Sequence, residues 1–220
     1  MKIQYLGDSK DSFKWDYHDF LMSKLNYKTL KIILMMTPDD GGNDGNTHAS
    51  NFPARNEILD FCNQLRKTKS IEKIKELPAM TSSSYQICFH KANNFITNQN
   101  RYAYFSDFEA DGNQLVFFDP DNGFEPDKSL TEKHVKFKEI NRILDKLSDE
   151  SVISVFQHHR RKSFPDDFAN ILSKIDKGYC VAIYWHSLMF VLITKSKSVC
   201  DKLIEFNTEY AKTKPVKNIA

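Results

Sequence analysis

Continuous apolar runs alternate with amphipathic stretches along most of the chain, as in proteins that pack helices against a sheet. The apolar runs predict buried strands, which fall at 30–36, 85–89, 115–118, 152–156, 179–185 and 188–194. Apolar residues at three- and four-residue steps predict helices from near Ser12 onwards and over 54–77, 135–147, 164–175 and 199–210. The aromatic-rich segment 90–112 is interpreted as a helix, and the Lys-rich tail from Lys212 is expected to fray.

The order of these elements predicts the fold class. Strand, helix and strand follow one another with short joins between residues 115 and 156, which is the pattern of a parallel crossover unit. The last two strands are joined by a tight turn at His186 and Ser187, so they must run antiparallel. We therefore predict an α/β three-layer sandwich with a mostly parallel sheet and a C-terminal antiparallel hairpin, forming a single domain over residues 1–220.

Polar chemistry is concentrated where the apolar run 115–118 stops, at Asp119-Pro120-Asp121-Asn122-Gly123. Open α/β sheets bind their ligands at the carboxyl ends of the strands, so Asp119, Asp121 and Asn122 are candidate catalytic residues. The alternative is an Asp-Asn-Gly turn whose acids only cap the following segment.

A second polar loop, 37–46, follows the strand predicted at 30–36 and is rich in acids and glycines. If the strand assignment holds, several carboxylates converge on one edge of the sheet; they are Asp8, Asp11, Asp39, Asp40, Asp44, Asp119 and Asp121. Clustered carboxylates bind Mg²⁺ or Mn²⁺, although the sequence spells out no contiguous metal motif and no residue is assigned as a metal ligand. A solvated acidic loop is the alternative interpretation.

The segment 157–162 follows the next strand and therefore belongs to the same edge. His158 is a candidate proton carrier near neutral pH, and Arg160 and Arg161 are candidates for binding substrate phosphates. The alternative is a solvated basic loop.

Composition does little to distinguish between these interpretations of the polar loops. The net charge of +2 neither demands nor excludes a nucleic-acid partner, and the four cysteines form no Cys-x-x-Cys pair, so free thiols in a reducing compartment are expected. The first residues lack the apolar core of a signal peptide, and the apolar stretch 179–194 is interrupted and too short to span a bilayer as a helix. These features predict a soluble cytoplasmic protein that does not bind membranes.

The element order resembles that of class I, Rossmann-like methyltransferases, in which 115–118 would be the fourth strand. Amino-methyltransferases end that strand in Asp/Asn-Pro-Pro-Tyr/Phe, and this chain keeps Asp119-Pro120 but has Asp121 and Asn122 in place of the second proline and the aromatic residue. The resemblance implies S-adenosylmethionine (SAM) as cofactor, held by the loop after the first strand, where Thr37, Asp39, Gly41 and Asp44 stand in place of the usual acid and Gly-x-Gly.

Two further resemblances involve the N-terminal segment. Tyr5-x-Gly7-Asp8-x-x-Asp11-x-x-Lys14 is similar to the segment that precedes the first helix in ribosomal-RNA adenine methyltransferases, which implies that Gly7, Asp8 and Lys14 border the cofactor. The Thr-Pro-Asp, Asn-Asp-Gly and Asp-Pro-Asp-Asn-Gly motifs together resemble an uncharacterised bacterial and phage family, a resemblance that names no reaction.

Three hypotheses follow. The first is a cytoplasmic, methyltransferase-like enzyme that uses SAM and acts on nucleic acid or a nucleotide. The second is a Mg²⁺- or Mn²⁺-dependent nuclease or phosphohydrolase built on the same sheet edge. The third is a non-enzymatic bacterial or phage protein that binds a nucleotide or a host protein.

Overall fold

The computed structural model describes residues 1–39, 41–42 and 47–220. The chain divides into two compact units, each described below by itself. Unit 1 contains Met1, Lys31–Thr37 and Phe89–Ala220, and unit 2 contains Lys2–Leu30 and Pro38–Cys88.

The strands are β1 (Thr29–Ile33), β2 (Gln86–Phe89), β3 (Leu115–Phe118), β4 (Gly123–Phe124), β5 (His134–Val135), β6 (Val152–His158), β7 (Tyr179–Trp185), β8 (Leu188–Thr194) and β9 (Lys217–Ile219). The α-helices are α1 (Ser9–Leu25), α2 (Asn56–Thr68), α3 (Leu77–Met80), α4 (Arg101–Ser106), α5 (Phe137–Lys146), α6 (Phe164–Leu172) and α7 (Lys197–Ala211). Short 3₁₀ turns cover Ile3–Tyr5, Ala49–Asn51 and Glu72–Glu76.

Seven strands form one sheet in the order β2-β1-β3-β6-β8-β7-β9, and β4 pairs with β5 separately. β3 and β6 are parallel, whereas β8 is antiparallel to both of its neighbours, β6 and β7. The amides of Gln86 and His90 donate to the carbonyls of Lys28 and Ile32, and this constant offset is that of a parallel pair. The arrangement confirms the predicted α/β fold class with its mostly parallel sheet and C-terminal antiparallel hairpin.

Unit 1 has its core on the strands that are apolar throughout. Every residue of β3 and β8 is buried, which explains why both appear in the sequence as unbroken apolar runs rather than as alternating patterns. Helix α5 contributes Ile140, Ile143 and Leu144 at the three- and four-residue steps that predicted it. The predicted amphipathic helix is confirmed.

Unit 2 has its core between α1 and α2. The ring of Trp15 meets that of Phe61 edge-on, with their centroids 6.2 Å apart. Burial on α1 is not limited to apolar residues, since Asp16 and His18 are buried as well. Burial lowers the pKa of His18 to about 3, so this imidazole is neutral at physiological pH.

Several predicted element boundaries are wrong. Helix α1 begins at Ser9, because Asp8 caps it, rather than near Ser12. The helix predicted over 54–77 ends at Thr68, since Lys69 adopts a left-handed conformation with φ of 49°. Pro78, which directly follows the predicted helix and would be expected to stop it, lies in the first turn of α3.

The segment 90–112 contains only the short helix α4. The predicted frayed tail instead contains β9, which pairs with β7. The β4–β5 pair was not predicted at all.

Candidate functional site

The strand-end turn, residues 119–123, connects β3 to β4 in unit 1. The amide of Asp119 donates to the carbonyl of Ile33 at 2.9 Å, so the turn starts beside the last residue of β1. Asp119 itself is only 2% exposed, which makes it part of the packed wall rather than of the surface.

Asp121 ties the turn to the segment that follows β1. One carboxylate oxygen accepts a hydrogen bond from the Thr37 hydroxyl at 2.5 Å, and the other lies 2.9 Å from the α-amino group of Met1. That amino group also donates to the carbonyl of Met35 at 3.0 Å. The Asp121 carboxylate and the Met35 carbonyl therefore bind a primary ammonium group, and the Thr37 hydroxyl donates to the same carboxylate.

The position of this contact in the sheet is informative. In the order β2-β1-β3, the chain passes from β1 to β2 on one side of β1 and then to β3 on the other side, so the direction of winding reverses between β1 and β3. Open α/β sheets bind ligands outside the carboxyl ends of the strands at such a switch point. Thr37 and Asp121 meet there.

The end of β6 reaches the same turn. The amide of His158 donates to the carbonyl of Asn122 at 3.3 Å, and the amide of Asn122 donates to the carbonyl of Lys133 at 3.0 Å. His158 and the Asn122 side chain are both half-buried. All four predicted catalytic residues, Asp119, Asp121, Asn122 and His158, thus lie at the ends of two neighbouring strands, β3 and β6.

Gln157 supports the turn and was missed by the sequence analysis. Its side chain is fully buried. The side-chain oxygen Oε1 accepts from the backbone amide of Phe124 at 2.8 Å, and the side-chain nitrogen Nε2 donates to the Asp167 carboxylate at 3.0 Å. Gly123 has φ of 102°, and a Cβ there would lie 2.2 Å from that side-chain oxygen. The available signal was a glutamine at the end of an otherwise apolar strand.

The two predicted phosphate-binding arginines differ. Arg160 donates to the carbonyl of Phe124 at 2.5 Å and lies 3.6 Å from Asp167, so its guanidinium also braces the turn. Burial raises the pKa of Asp167, and the positive charge of Arg160 opposes that rise. Arg161 is exposed.

In unit 2, the predicted cofactor residues Gly7, Asp8 and Lys14 form a cluster with Asp11, which we call the α1 cluster. Asp8 accepts from the Asp11 amide at 2.9 Å, whereas Asp11 accepts from the Gly7 amide at 2.7 Å and from the Lys14 ammonium at 2.8 Å. All four residues are buried. Burial, and next the charge of Asp11, raises the pKa of Asp8 to about 7.

Close packing explains the glycine of this cluster. Gly7 has φ of 82°, and a Cβ there would lie 2.1 Å from the carbonyl oxygen of Cys62 in α2. The cluster therefore caps α1 and lets the preceding loop pack directly against α2.

The remaining cofactor predictions fall on the loop 37–46. Asp39 and Gly41 are exposed and belong to unit 2, and the carbonyl of Gly42 accepts from the Gln4 side chain at 2.9 Å. Asp44 and Asp40 lie outside the described residues. The expected convergence of all seven aspartates on one edge remains a prediction.

Residues 1–39, 41–42 and 47–220 contain no group of three or more His, Cys, Asp or Glu side chains placed to hold a metal ion. The Mg²⁺ or Mn²⁺ alternative therefore gains no support from these ranges. Across the same ranges, no helix is both long and apolar enough to cross a membrane.

Comparisons with known proteins add little. No family model matches the chain, and a search of curated proteins found no match. The chain is similar to a solved structure of human methyltransferase-like protein 13 in complex with SAH. The alignment covers 92% of this chain and 88% of the human chain, with 8% sequence identity and a TM-score of 0.41. A likeness at that TM-score carries no argument about this chain.

Proposed function

We propose that the chain is a methyltransferase-like enzyme that binds SAM outside the carboxyl ends of β1 and β3 and modifies a nucleic acid or a nucleotide. The observation that carries the proposal is the contact between Thr37 and Asp121 at the point where the sheet reverses its winding. The resemblance in element order and the retained Asp119-Pro120 pair supply the reaction class.

The residues at this point fit the amino-acid end of SAM. Asp121 and the Met35 carbonyl bind the α-amino group of Met1, so they are acceptors suited to an ammonium group, and the ammonium of SAM would take the place of Met1 there. Carboxylates also favour the sulfonium cation that makes the bound methyl group electrophilic. We assign Thr37 and Asp121 of unit 1 to the cofactor.

The rest of the turn is assigned to the acceptor. The Asn122 side chain and the Asp119 backbone position an amino group, and His158 accepts the proton that the acceptor loses. Arg161, which is exposed in the segment after β6, contacts substrate phosphate, whereas Arg160 is already engaged with the Phe124 carbonyl.

We do not assign the α1 cluster to the cofactor. Its carboxylates are buried and accept hydrogen bonds from neighbouring residues of the same segment, which is what helix capping requires.

Calorimetry and thermal unfolding with SAM test the cofactor assignment. A ligand at one hundred times its Kd stabilises the folded state by about 2.7 kcal/mol, so SAM should raise the Tm, and Asp121→Asn should abolish that shift. Asp145→Asn, which removes an exposed carboxylate on α5, is the matched control and should retain it. No Tm shift at millimolar SAM would refute the assignment.

Transfer of labelled methyl from SAM to RNA, DNA and free nucleotides tests the substrate class. We expect transfer to at least one of them and its loss in Asn122→Ala. SAM binding without transfer to any of the three would leave the binding assignment standing and remove the enzymatic one.

A further inference from the structure

A basic cleft lies in unit 1 between α4 and the start of α5, with a volume of about 290 Å³. The side chains that matter for its chemistry are Arg101, Tyr102, Lys136, Lys138, Glu139 and Arg142. None of them belongs to the site proposed above.

Arg101 is the buried cation of this cleft, at 4% exposure. Its Nε and Nη2 pair with the two carboxylate oxygens of Glu139, at 2.5 and 2.8 Å, and Nη2 also donates to the His134 carbonyl. Its third nitrogen, Nη1, is buried and has no hydrogen-bond acceptor among the described residues. A buried guanidinium N–H without an acceptor is costly, so Arg101, which lines the cleft, retains an unused hydrogen-bond donor.

The charge balance of the cleft favours an anion. The four cations Arg101, Lys136, Lys138 and Arg142 face a single carboxylate, that of Glu139. Glu139 is committed to Arg101 and to the amide of Lys136, so its charge is compensated locally. Within the described part of the chain, no carboxylate lies within ion-pair distance of the other three cations.

An aromatic ring stands beside these cations. Tyr102 is 71% exposed, and the Arg142 guanidinium lies over its ring, 4.7 Å from the centroid. An exposed aromatic ring next to a basic groove is the arrangement on which nucleic-acid bases stack while their phosphates are neutralised.

We propose that the basic cleft binds the phosphate of a phosphorylated nucleoside, with Arg101, Lys138 and Arg142 contacting the phosphate and Tyr102 stacking on the base. The ligand is either a free nucleotide or a unit of a short single strand, since both present the same groups. The inference requires neither SAM binding nor methyl transfer.

Hydrogen bonds connect the basic cleft to the strand-end turn. Arg101 contacts the carbonyl of His134, and His134 pairs with Gly123 of the turn through the β4–β5 bridge. A ligand that engages Arg101 therefore contacts a residue that is hydrogen-bonded to β5, the strand that pairs with the end of the turn.

The test is a titration of the full chain with ATP by calorimetry and with a fluorescently labelled five-nucleotide single-stranded DNA by anisotropy. We expect binding of at least one probe, weakened about tenfold or more in the double variant Lys138→Ala/Arg142→Ala, because charge-assisted contacts to phosphate are lost. The control Lys67→Ala/Lys202→Ala removes two exposed lysines outside the cleft and should bind within about twofold of the parent chain.

Two further measurements test base stacking by Tyr102 and distinguish a free nucleotide from a single strand. Tyr102→Ala should weaken both nucleoside probes several-fold but leave inorganic pyrophosphate unchanged, whereas equal losses for all three would overturn the base-stacking part. DNA binding much tighter than ATP identifies a strand as the source of the phosphate, and the reverse identifies a free nucleotide.

The phosphate-binding inference is overturned if neither probe binds at millimolar concentration, or if the cleft and control double variants bind alike. The SAM-dependent Tm shift, measured on the same cleft variant, should be unchanged, so failure of this inference is distinguishable from failure of the proposed function.

Discussion

Two groups of aspartates that look similar in the sequence have different structural roles. The strand-end turn brings Asp121 to Thr37 across 84 positions of the chain, whereas the α1 cluster closes its hydrogen bonds between Gly7 and Lys14. The first joins the ends of two strands, and the second completes the first turn of one helix. An acid whose partners lie far away in the sequence is the better candidate for a ligand site, because a capping role needs only near neighbours.

Each of the two regions contains a glycine against which another part of the chain packs closely. Gly7 packs against the backbone of α2, and Gly123 packs against the side chain of Gln157. An added Cβ would contact helix backbone at Gly7 but a side chain at Gly123, and the first prediction uses this difference.

The largest effect is expected from Gly7→Ala, which should destabilise the fold by about 3 kcal/mol or more. Its new Cβ would meet the Cys62 carbonyl at 2.1 Å and the Arg66 amide nitrogen at 2.7 Å, and helix backbone does not yield easily. Gly123→Ala should be somewhat milder because its closest contact is a side chain. Gly112→Ala, with φ of 55° and open space around it, is the control at about 1 kcal/mol.

Urea unfolding of the three alanine variants measures these differences. Equal destabilisation of all three would show that positive φ alone matters and that the two close contacts do not.

A smaller effect is expected from Asp8→Asn, and it depends on pH. The folded-state pKa of Asp8 is raised from 3.8 to about 7, so between these values the folded state binds more protons than the unfolded state. The contribution of Asp8 is therefore fully present below pH 4 and is lost as the pH rises through 7. Asparagine keeps the cap but does not ionise, so the variant should become more stable than the parent by about 2–4 kcal/mol at pH 8.

The measurement is the difference in unfolding free energy between Asp8→Asn and the parent chain from pH 4 to 8. Taking the difference cancels His18, whose lowered pKa gives the opposite slope below pH 6.5 in both proteins. A difference that does not change with pH would contradict the raised pKa.

The smallest effect on stability is expected from Thr37→Val, at about 1 kcal/mol. The substitution removes the hydroxyl that donates to Asp121, and the carboxylate keeps the Met1 ammonium as a partner. Thermal unfolding should show this small loss, whereas SAM binding should weaken more than the stability does. A large loss of stability with unchanged ligand binding would give Thr37 a structural role.

The sequence predicted the elements whose evidence is local. The run 115–118 and the 179–194 hairpin were identified because buried strands are apolar throughout and a two-residue turn fixes their pairing. The β4–β5 pair and β9 are two and three residues long, too short for any periodicity to appear.

The same distinction between local and non-local evidence applies to the residues of the candidate site and the basic cleft. Asp119, Asp121, Asn122 and His158 were identifiable because each follows or ends an apolar run. The Arg101–Glu139 pair was not, since it depends on the packing of α4 against α5, and neither was the left-handed Lys69 that ends α2.

The central claim is that the strand-end turn holds the cofactor and the α1 cluster does not. The most direct test is SAM calorimetry on two matched variants, Asp121→Asn and Asp8→Asn, each of which replaces one carboxylate by an isosteric amide. The claim predicts that Asp121→Asn loses SAM binding and that Asp8→Asn retains the affinity of the parent chain. Loss of binding in Asp8→Asn with full affinity in Asp121→Asn would contradict it.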